Sequence, residues 1–290
     1  MEIAIVSGKG GTGKSSISAA FATLNRQIVV ADCDVDAANL YLLFNPVIEE
    51  ETVYIAGQKA VIKYDLCTSC GICESYCRFD AISVINGIVS ISEILCDGCF
   101  LCSRICPENA VKMVQNYESR MYSGSFRNGK MVYARLAPGE ENSGKLVNMV
   151  RKKAKQTAEE NGLDIIILDG PPGIGCPVIS TITGTDKVVI VTEPTISGLL
   201  DMQRTLEIVQ KFNIPAYIII NKYDLNSSMS EMIEEWCKQN DIAMVGKLVF
   251  HRLITESMVQ GKSITELYPD LDISKRIEII WNKIINQNNE

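Results

Sequence analysis

The chain has 290 residues, 47% of them apolar, with 35 acidic against 28 basic side chains for a formal charge of −7, and it carries eleven cysteines. A chain of this length has enough apolar material for a full core without covalent staples, which excludes a secreted disulfide scaffold and leaves reduced, ligand-holding thiols as the expectation. No apolar run approaches the roughly 18 residues of a membrane helix, and the acidic balance offers no broad electrostatic footprint for nucleic acid.

The apolar run Ile3 to Val6 begins directly after Met1-Glu2, with no leader-like segment, so a cytoplasmic protein with no stable membrane anchor is expected. Gly8-Lys9-Gly10-Gly11-Thr12-Gly13-Lys14-Ser15 follows and satisfies G-x-x-x-x-G-K-[ST] between that strand and the helical stretch Ser16 to Leu24. Glycines there let backbone N–H groups converge on phosphate oxygens, and the following helix aims its positive end at them. Lys14 neutralises the β- and γ-phosphates, and the Ser15 hydroxyl ligates Mg²⁺. Further short apolar runs, Ile28 to Ala31, Ile165 to Leu168, Lys187 to Thr192 and Ala216 to Ile220, read as parallel strands covered on both faces, so the fold class is α/β with a mostly parallel sheet.

Between the runs Ile28 to Ala31 and Ile165 to Leu168 the texture changes. Cys67, Cys70, Cys73 and Cys77 recur 29 residues later as Cys96, Cys99, Cys102 and Cys106, and each quartet has a similar tail, Ala81-Ile82-Ser83-Val84 and Ala110-Val111-Lys112-Met113. An inserted domain over residues 58–117 is expected, dividing the first domain into residues 1–57 and 118–290. After it, 120–136 reads as a hairpin turning at Asn128-Gly129, and a helix from Ser143 to Asn161 carries Arg151-Lys152-Lys153 as a solvated face. Cys33 and Cys237 read as packing residues, and His251, the one histidine, as a hydrogen-bonded structural residue.

The phosphate loop, with its second lysine Lys9, resembles the deviant Walker A loop of the MinD/Mrp superfamily, which includes the nitrogenase iron protein and the cobyrinic acid amide synthases. The resemblance implies ATP and Mg²⁺ as ligands of Gly8, Lys9, Gly10, Gly11, Thr12, Gly13, Lys14, Ser15 and Ser16, and a homodimer in which Lys9 reaches the partner's phosphates. Ile165 to Asp169 resembles a Walker B strand, with Asp169 orienting Mg²⁺ through water, and Gly170-Pro171-Pro172-Gly173 resembles switch II. Asp32-Cys33-Asp34-Val35-Asp36 with Asn39-Leu40 resembles switch I. Alignment on Asn39-Leu40 gives Asp34 the water-activating role, with Asp32 and Asp36 competing for it. Asn221 resembles the family's adenine reader, with Pro194 opposite. Cys176, seven residues after Asp169, stands where the nitrogenase iron protein places a thiol on a cluster bridging two subunits; a bridging cluster and an ordinary loop thiol are both open readings.

Each cysteine quartet reads C-x-x-C-x-x-C-x-x-x-C and resembles a bacterial-type ferredoxin with two 4Fe-4S clusters, structural zinc being the competing metal. Because the fourth cysteine in such ferredoxins serves the other cluster, the resemblance implies Cys67, Cys70, Cys73 and Cys106 on one cluster and Cys96, Cys99, Cys102 and Cys77 on the second. Arg78 stands where the pattern expects the proline that Pro107 supplies in the second half. The expected activity is Mg-ATP hydrolysis coupled to electron transfer through the clusters to a partner protein or metal centre. The alternatives are a cluster-assembly or carrier ATPase acting on a recipient protein, and a MinD-like spatial regulator, for which 276–285 is a poor membrane anchor.

Overall fold

The computed structural model describes residues 1–55, 57–138, 140 and 143–286. Two compact units emerge. The first holds Met1–Glu51, Met121–Ala134 and the chain from Ser143 onward; the second holds Thr52–Arg120 and the short stretch between Ala134 and Ser143. In chain order the elements are β1 (Glu2–Ser7), α1 (Lys14–Leu24), β2 (Ile28–Asp32), α2 (Leu40–Phe44) and β3 (Val47–Val53). Then come β4 (Gln58–Ile62), α3 (Ile72–Ser75), β5 (Ile82–Ile85), β6 (Ile88–Ile91), α4 (Leu101–Ile105) and β7 (Val111–Gln115). The chain returns through β8 (Arg120–Phe126), β9 (Gly129–Arg135), α5 (Ser143–Asn161), β10 (Ile166–Pro172), α6 (Cys176–Ile182) and β11 (Lys187–Thr192). It ends with α7 (Ile196–Lys211), β12 (Ala216–Asn221), α8 (Ser227–Gln239), β13 (Ala243–Leu248), α9 (Arg252–Val259), α10 (Ile264–Leu267) and α11 (Asp272–Asn286).

The main sheet has the order β13-β12-β11-β1-β10-β2-β9-β8-β3, and the run from β13 to β9 is parallel throughout. Every residue of β1 and β11 is buried, which is why these strands are continuous apolar runs rather than alternating ones. One sheet face is sealed by α1 and α11, where Phe21 and Trp281 meet with ring centroids 4.9 Å apart and the Trp281 indole donates to Asn25 Oδ1 at 3.2 Å. At the carboxyl end of the sheet, where α/β folds place ligands, the register sets Asp169 beside Asp32. None of the described helices is long and apolar enough to cross a membrane.

Two local expectations are corrected. The turn between β8 and β9 falls on Arg127-Asn128, and Gly129 opens β9 instead of completing the turn. The reason is packing: a Cβ on Gly129 would lie 2.0 Å from the Ile28 carbonyl oxygen of the neighbouring strand. Arg151 is not solvated either. Its guanidinium is buried, donating to the carbonyls of Ser180 and Thr183, both at 2.7 Å, and pairing with Glu2 at 3.2 Å.

The second unit is built differently. β4 pairs antiparallel with β7, β5 with β6, and two helices of four and five residues begin within the cysteine runs. Its repeat is carried in the backbone: left-handed residues recur at the same 29-residue offset as Ser69 and Gly98, Gly71 and Phe100, Asp80 and Asn109. The fully buried members of its two apolar clusters are small in number, chiefly Val111, Ile82 and Val89 with Cys73 and Cys96, and Ile62, Phe79, Ile91 and Met113 pack against them partly buried.

Candidate nucleotide site and cysteine cavities

The loop after β1 turns through Gly11 and Gly13, with φ of +82° and +89°. Gly13 has a second constraint, since a Cβ there would meet Asn221 Nδ2 at 2.3 Å; Gly8 is likewise confined, 2.4 Å from Asp201 Cβ. The N-terminus of α1 has no side-chain cap and no acid in its first turn, so its N–H groups are left to an anion. Thr12 Oγ1, buried in the same loop, has no hydrogen-bond partner among the described residues. An acceptor-rich group such as a phosphate would satisfy both.

Asp169 is fully buried beneath the loop and gathers its polar side chains. Lys14 Nζ donates to Oδ1 at 3.0 Å, Ser15 Oγ to Oδ2 at 2.8 Å, and Ser18 Oγ to Oδ1 at 2.6 Å. Beside it, Asp32 is also fully buried and accepts the N–H groups of Asp34, Asn39 and Leu40 at 3.2, 3.0 and 3.1 Å. Burial, reinforced by the charge of Asp169, pushes the Asp32 carboxyl up to about 7. Asp32 is thereby committed to shaping the loop that follows. Asp34 lines the cavity, its carboxyl raised by partial burial and then by Asp169, whereas Asp36 is exposed and absent from the cavity wall.

That cavity, of about 420 Å³, is of a size suited to a small-molecule ligand and runs from Gly10–Ile17 across to the segment after β13. Phe250, His251, Ile254 and Met258 form its far wall. His251 caps α9, its Nδ1 accepting the Leu253 N–H at 3.3 Å, while the Phe250 N–H is held by Asp224 at 2.6 Å. No motif in the sequence marks this wall; its one signal is position, as the turn following another parallel strand of the same sheet.

Four named residues stand off the cavity wall. Gly8 lies against Asp201, and Asp169 is sealed below Lys14. Lys9 turns aside to Glu193, with Nζ 2.6 Å from Oε1, and also donates to Thr195 and Ser197 at 3.1 Å each. Pro194, on the same segment as Glu193, does not line this cavity. Asn221 does line it, but its amide donates to the Thr12 carbonyl at 2.8 Å and its Oδ1 accepts the Lys222 N–H at 3.0 Å. Lys222 in turn reaches Gly11 O at 2.8 Å and Glu193 at 3.3 Å. This segment therefore holds the phosphate loop in shape.

In the second unit two cavities are walled by thiols. One is lined by Cys67, Cys70, Cys73 and Cys106, the other by Cys77, Cys96, Cys99 and Cys102, with Cys73 at the border of both. Burial raises the Cys73 thiol, with Cys106 and Cys67 adding to it; burial lifts Cys102 to about 11, with Cys96 the next cause. Cys70 and Cys99, at equivalent positions, are the exposed thiols of the two sets. Among the described residues no three His, Cys, Asp or Glu side chains converge as ligands of a single ion. The donor set is soft and the cavities are lined mainly by apolar side chains, a combination compatible with 4Fe-4S clusters. Cys176 is exposed at the first residue of α6, while Cys33 and Cys237 are buried.

A nucleotide-binding-domain family described as CobQ/CobB/MinD/ParA matches residues 3–264. An uncharacterised protein of Methanocaldococcus jannaschii is 41% identical over 230 residues, covering 78% of this chain and 80% of its own. The iron-sulfur cluster transfer protein NUBPL of Dictyostelium discoideum is 26% identical over 50% of this chain and 48% of its own. Among solved structures, the septum site-determining protein MinD of Pyrococcus horikoshii, complexed with Mg-ADP, superposes with a TM-score of 0.60 at 18% identity, covering 98% of this chain and 96% of that one.

Proposed function

The chain belongs to the CobQ/CobB/MinD/ParA nucleotide-binding family, and from that premise we propose that it is a Mg-ATP hydrolase whose nucleotide state governs electron transfer through two 4Fe-4S clusters to a partner protein or metal centre. The observation that carries the reading is the thiol partition. Each cavity is walled by the first three cysteines of one repeat and the last cysteine of the other, the interchange that two-cluster ferredoxins use.

In the nucleotide site the phosphates lie against the loop N–H groups and the start of α1, and Lys14 neutralises them. Ser15 and Asp169 would hold Mg²⁺, which would neutralise phosphate charge, while Phe250 and His251 offer an apolar and a polar contact for the base. Asp34 accepts a proton from the attacking water as its oxygen bonds to the γ-phosphorus in line with the departing ADP oxygen, giving ADP and phosphate. Lys9, released from Glu193, supplies positive charge to the partner's transition state in a homodimer. Asp32 sets the loop that presents Asp34. In the second unit Cys67, Cys70, Cys73 and Cys106 would hold one cluster and Cys77, Cys96, Cys99 and Cys102 the other, each supplying one-electron redox chemistry when bound.

A second reading, a cluster carrier, is favoured by the similarity to NUBPL and by the exposure of Cys176, which in a homodimer could hold a labile cluster with its counterpart for transfer to a recipient protein. Iron counting after anaerobic reconstitution separates the two. Electron transfer expects about 16 iron atoms per dimer and the carrier about 20, the extra four lost in Cys176→Ser. Substantially fewer than 16 overturns the two-cluster assignment.

A further inference from the structure

The halves of the cysteine unit are copies, so a departure of one from the other is informative. At the residue after the second cysteine, the first half has Gly71 and the second has Phe100, and both are left-handed, with φ of +73° and +67°. Glycine takes this conformation freely; a side chain with a ring does so against steric strain. Space does not explain the difference, since a Cβ on Gly71 would find its nearest neighbour, Glu74 Oε2, 4.0 Å away. Strained side chains of this kind persist where they are used.

The surroundings point to a use. Phe100 lines the cavity of Cys77, Cys96, Cys99 and Cys102, yet is 38% exposed, so its ring stands between that cavity and solvent beside the exposed Cys99. Tyr76 and Phe79 line the same cavity, whereas among the described residues no aromatic side chain lines the other, which has Gly71 at the place matching Phe100 and Glu108 at the place matching Phe79.

We propose that Phe100 is a hydrophobic cover for the cluster held in its cavity, making the two clusters unequal in solvent access and in potential; this rests on the two-cluster reading above. Reduction adds negative charge to a cluster, and water stabilises that charge. A cover that excludes water therefore lowers the potential of the covered cluster and slows attack on its iron. The first cluster, beside Gly71, has no such cover.

The test uses the full chain, reconstituted anaerobically, with iron release to bathophenanthroline disulfonate and an EPR-monitored redox titration as readouts. In the unsubstituted protein iron leaves in two phases of equal size. Phe100→Gly, which makes the second half match the first, should lose the slow phase and raise one midpoint potential while the other stays. Its thermal midpoint should not fall, because the backbone strain is relieved. Phe100→Leu, which keeps an apolar cover on the same backbone, should retain the slow phase. Phe100→Gly with both phases and both potentials unchanged, or with both clusters shifted equally, overturns the cover while about eight iron atoms per chain leave the two-cluster reading standing. Iron well short of eight overturns that reading and the cover with it.

Discussion

In the nucleotide unit, the phosphate loop rises from a strand buried along its whole length and is braced beneath by Asp169 and alongside by Asn221. In the cysteine unit, the cysteine-bearing loops surround cavities whose fully buried apolar support is small, chiefly Val111, Ile82 and Val89, with Ile62, Phe79, Ile91 and Met113 partly buried against them. One site is supported by apolar packing that exists before any ligand arrives. On the two-cluster reading, the other places its ligands where a core would be, so a bound cluster would also supply the interior. Small units with few large buried side chains need a staple of this sort. On that reading the contrast ties a prosthetic group to a shortage of core as well as to a set of ligands.

The largest effect that would break this contrast is on folding. Stripping iron from the loaded protein should expose Thr52–Arg120 to protease while the nucleotide unit stays resistant and still binds ATP; loss of both together would mean that they unfold as one. Next in size is turnover. Lys14→Ala should abolish nucleotide binding with the cluster absorbance intact. Lys9→Ala should keep binding and lower hydrolysis by about 10³-fold, as for other charges supplied in trans; undiminished hydrolysis would remove the dimeric mechanism. A smaller effect is expected at Arg78, whose guanidinium lies 5.0 Å from the Phe79 ring, a wall of the Cys77 cavity. A cation there favours the reduced, more negative cluster, so Arg78→Pro should lower one potential and leave the other.

The smallest effect belongs to the nucleotide unit alone. Arg127 Nη2 donates to Glu266 Oε2 at 2.8 Å, and Glu266 also closes the capping box of α10 with Ser263. Burial works to raise the Glu266 carboxyl, but its bonds to Arg127 and Ser263 outweigh it and hold it below its ordinary 4.5. A carboxyl lowered on folding stabilises the fold fully above its ordinary value, and that contribution is lost as pH falls through the lowered one. Glu266→Gln should therefore cost roughly 1 kcal/mol at pH 7 and less at pH 2, as read by urea denaturation. An equal loss at both pH values would assign the effect to packing.

Much of the phosphate loop was legible because its geometry restricts residue type: only glycine suits the backbone at Gly11 and Gly13, and only a short polar side chain reaches as Ser15 does. The repeat of the cysteines was legible for the same reason, and its left-handed residues follow the sequence offset. Other features depend on distant partners. Arg151 reads as a solvated charge until the carbonyls at the end of α6 are brought against it. Asn128-Gly129 reads as a tight turn until Ile28 takes the space that a Cβ would need. Asn221 reads by likeness as a base contact, and only the folded chain shows that it is also engaged with the loop itself, while the far wall at Phe250 and His251 carries no motif at all.

Glu193 has two claimants. Lys9 takes one carboxylate oxygen and Lys222 the other. In the proposed homodimer, Lys9 would cross toward the partner's nucleotide, and the carboxylate it left behind would still be matched by Lys222, which would still hold Gly11. The departure would thus be an exchange of neighbours at a partly hydrated site, without stranding a charge, and the loop would keep its anchor while that cation is away. Subunits arranged in this way could join and separate once per turnover without rebuilding the phosphate site each time.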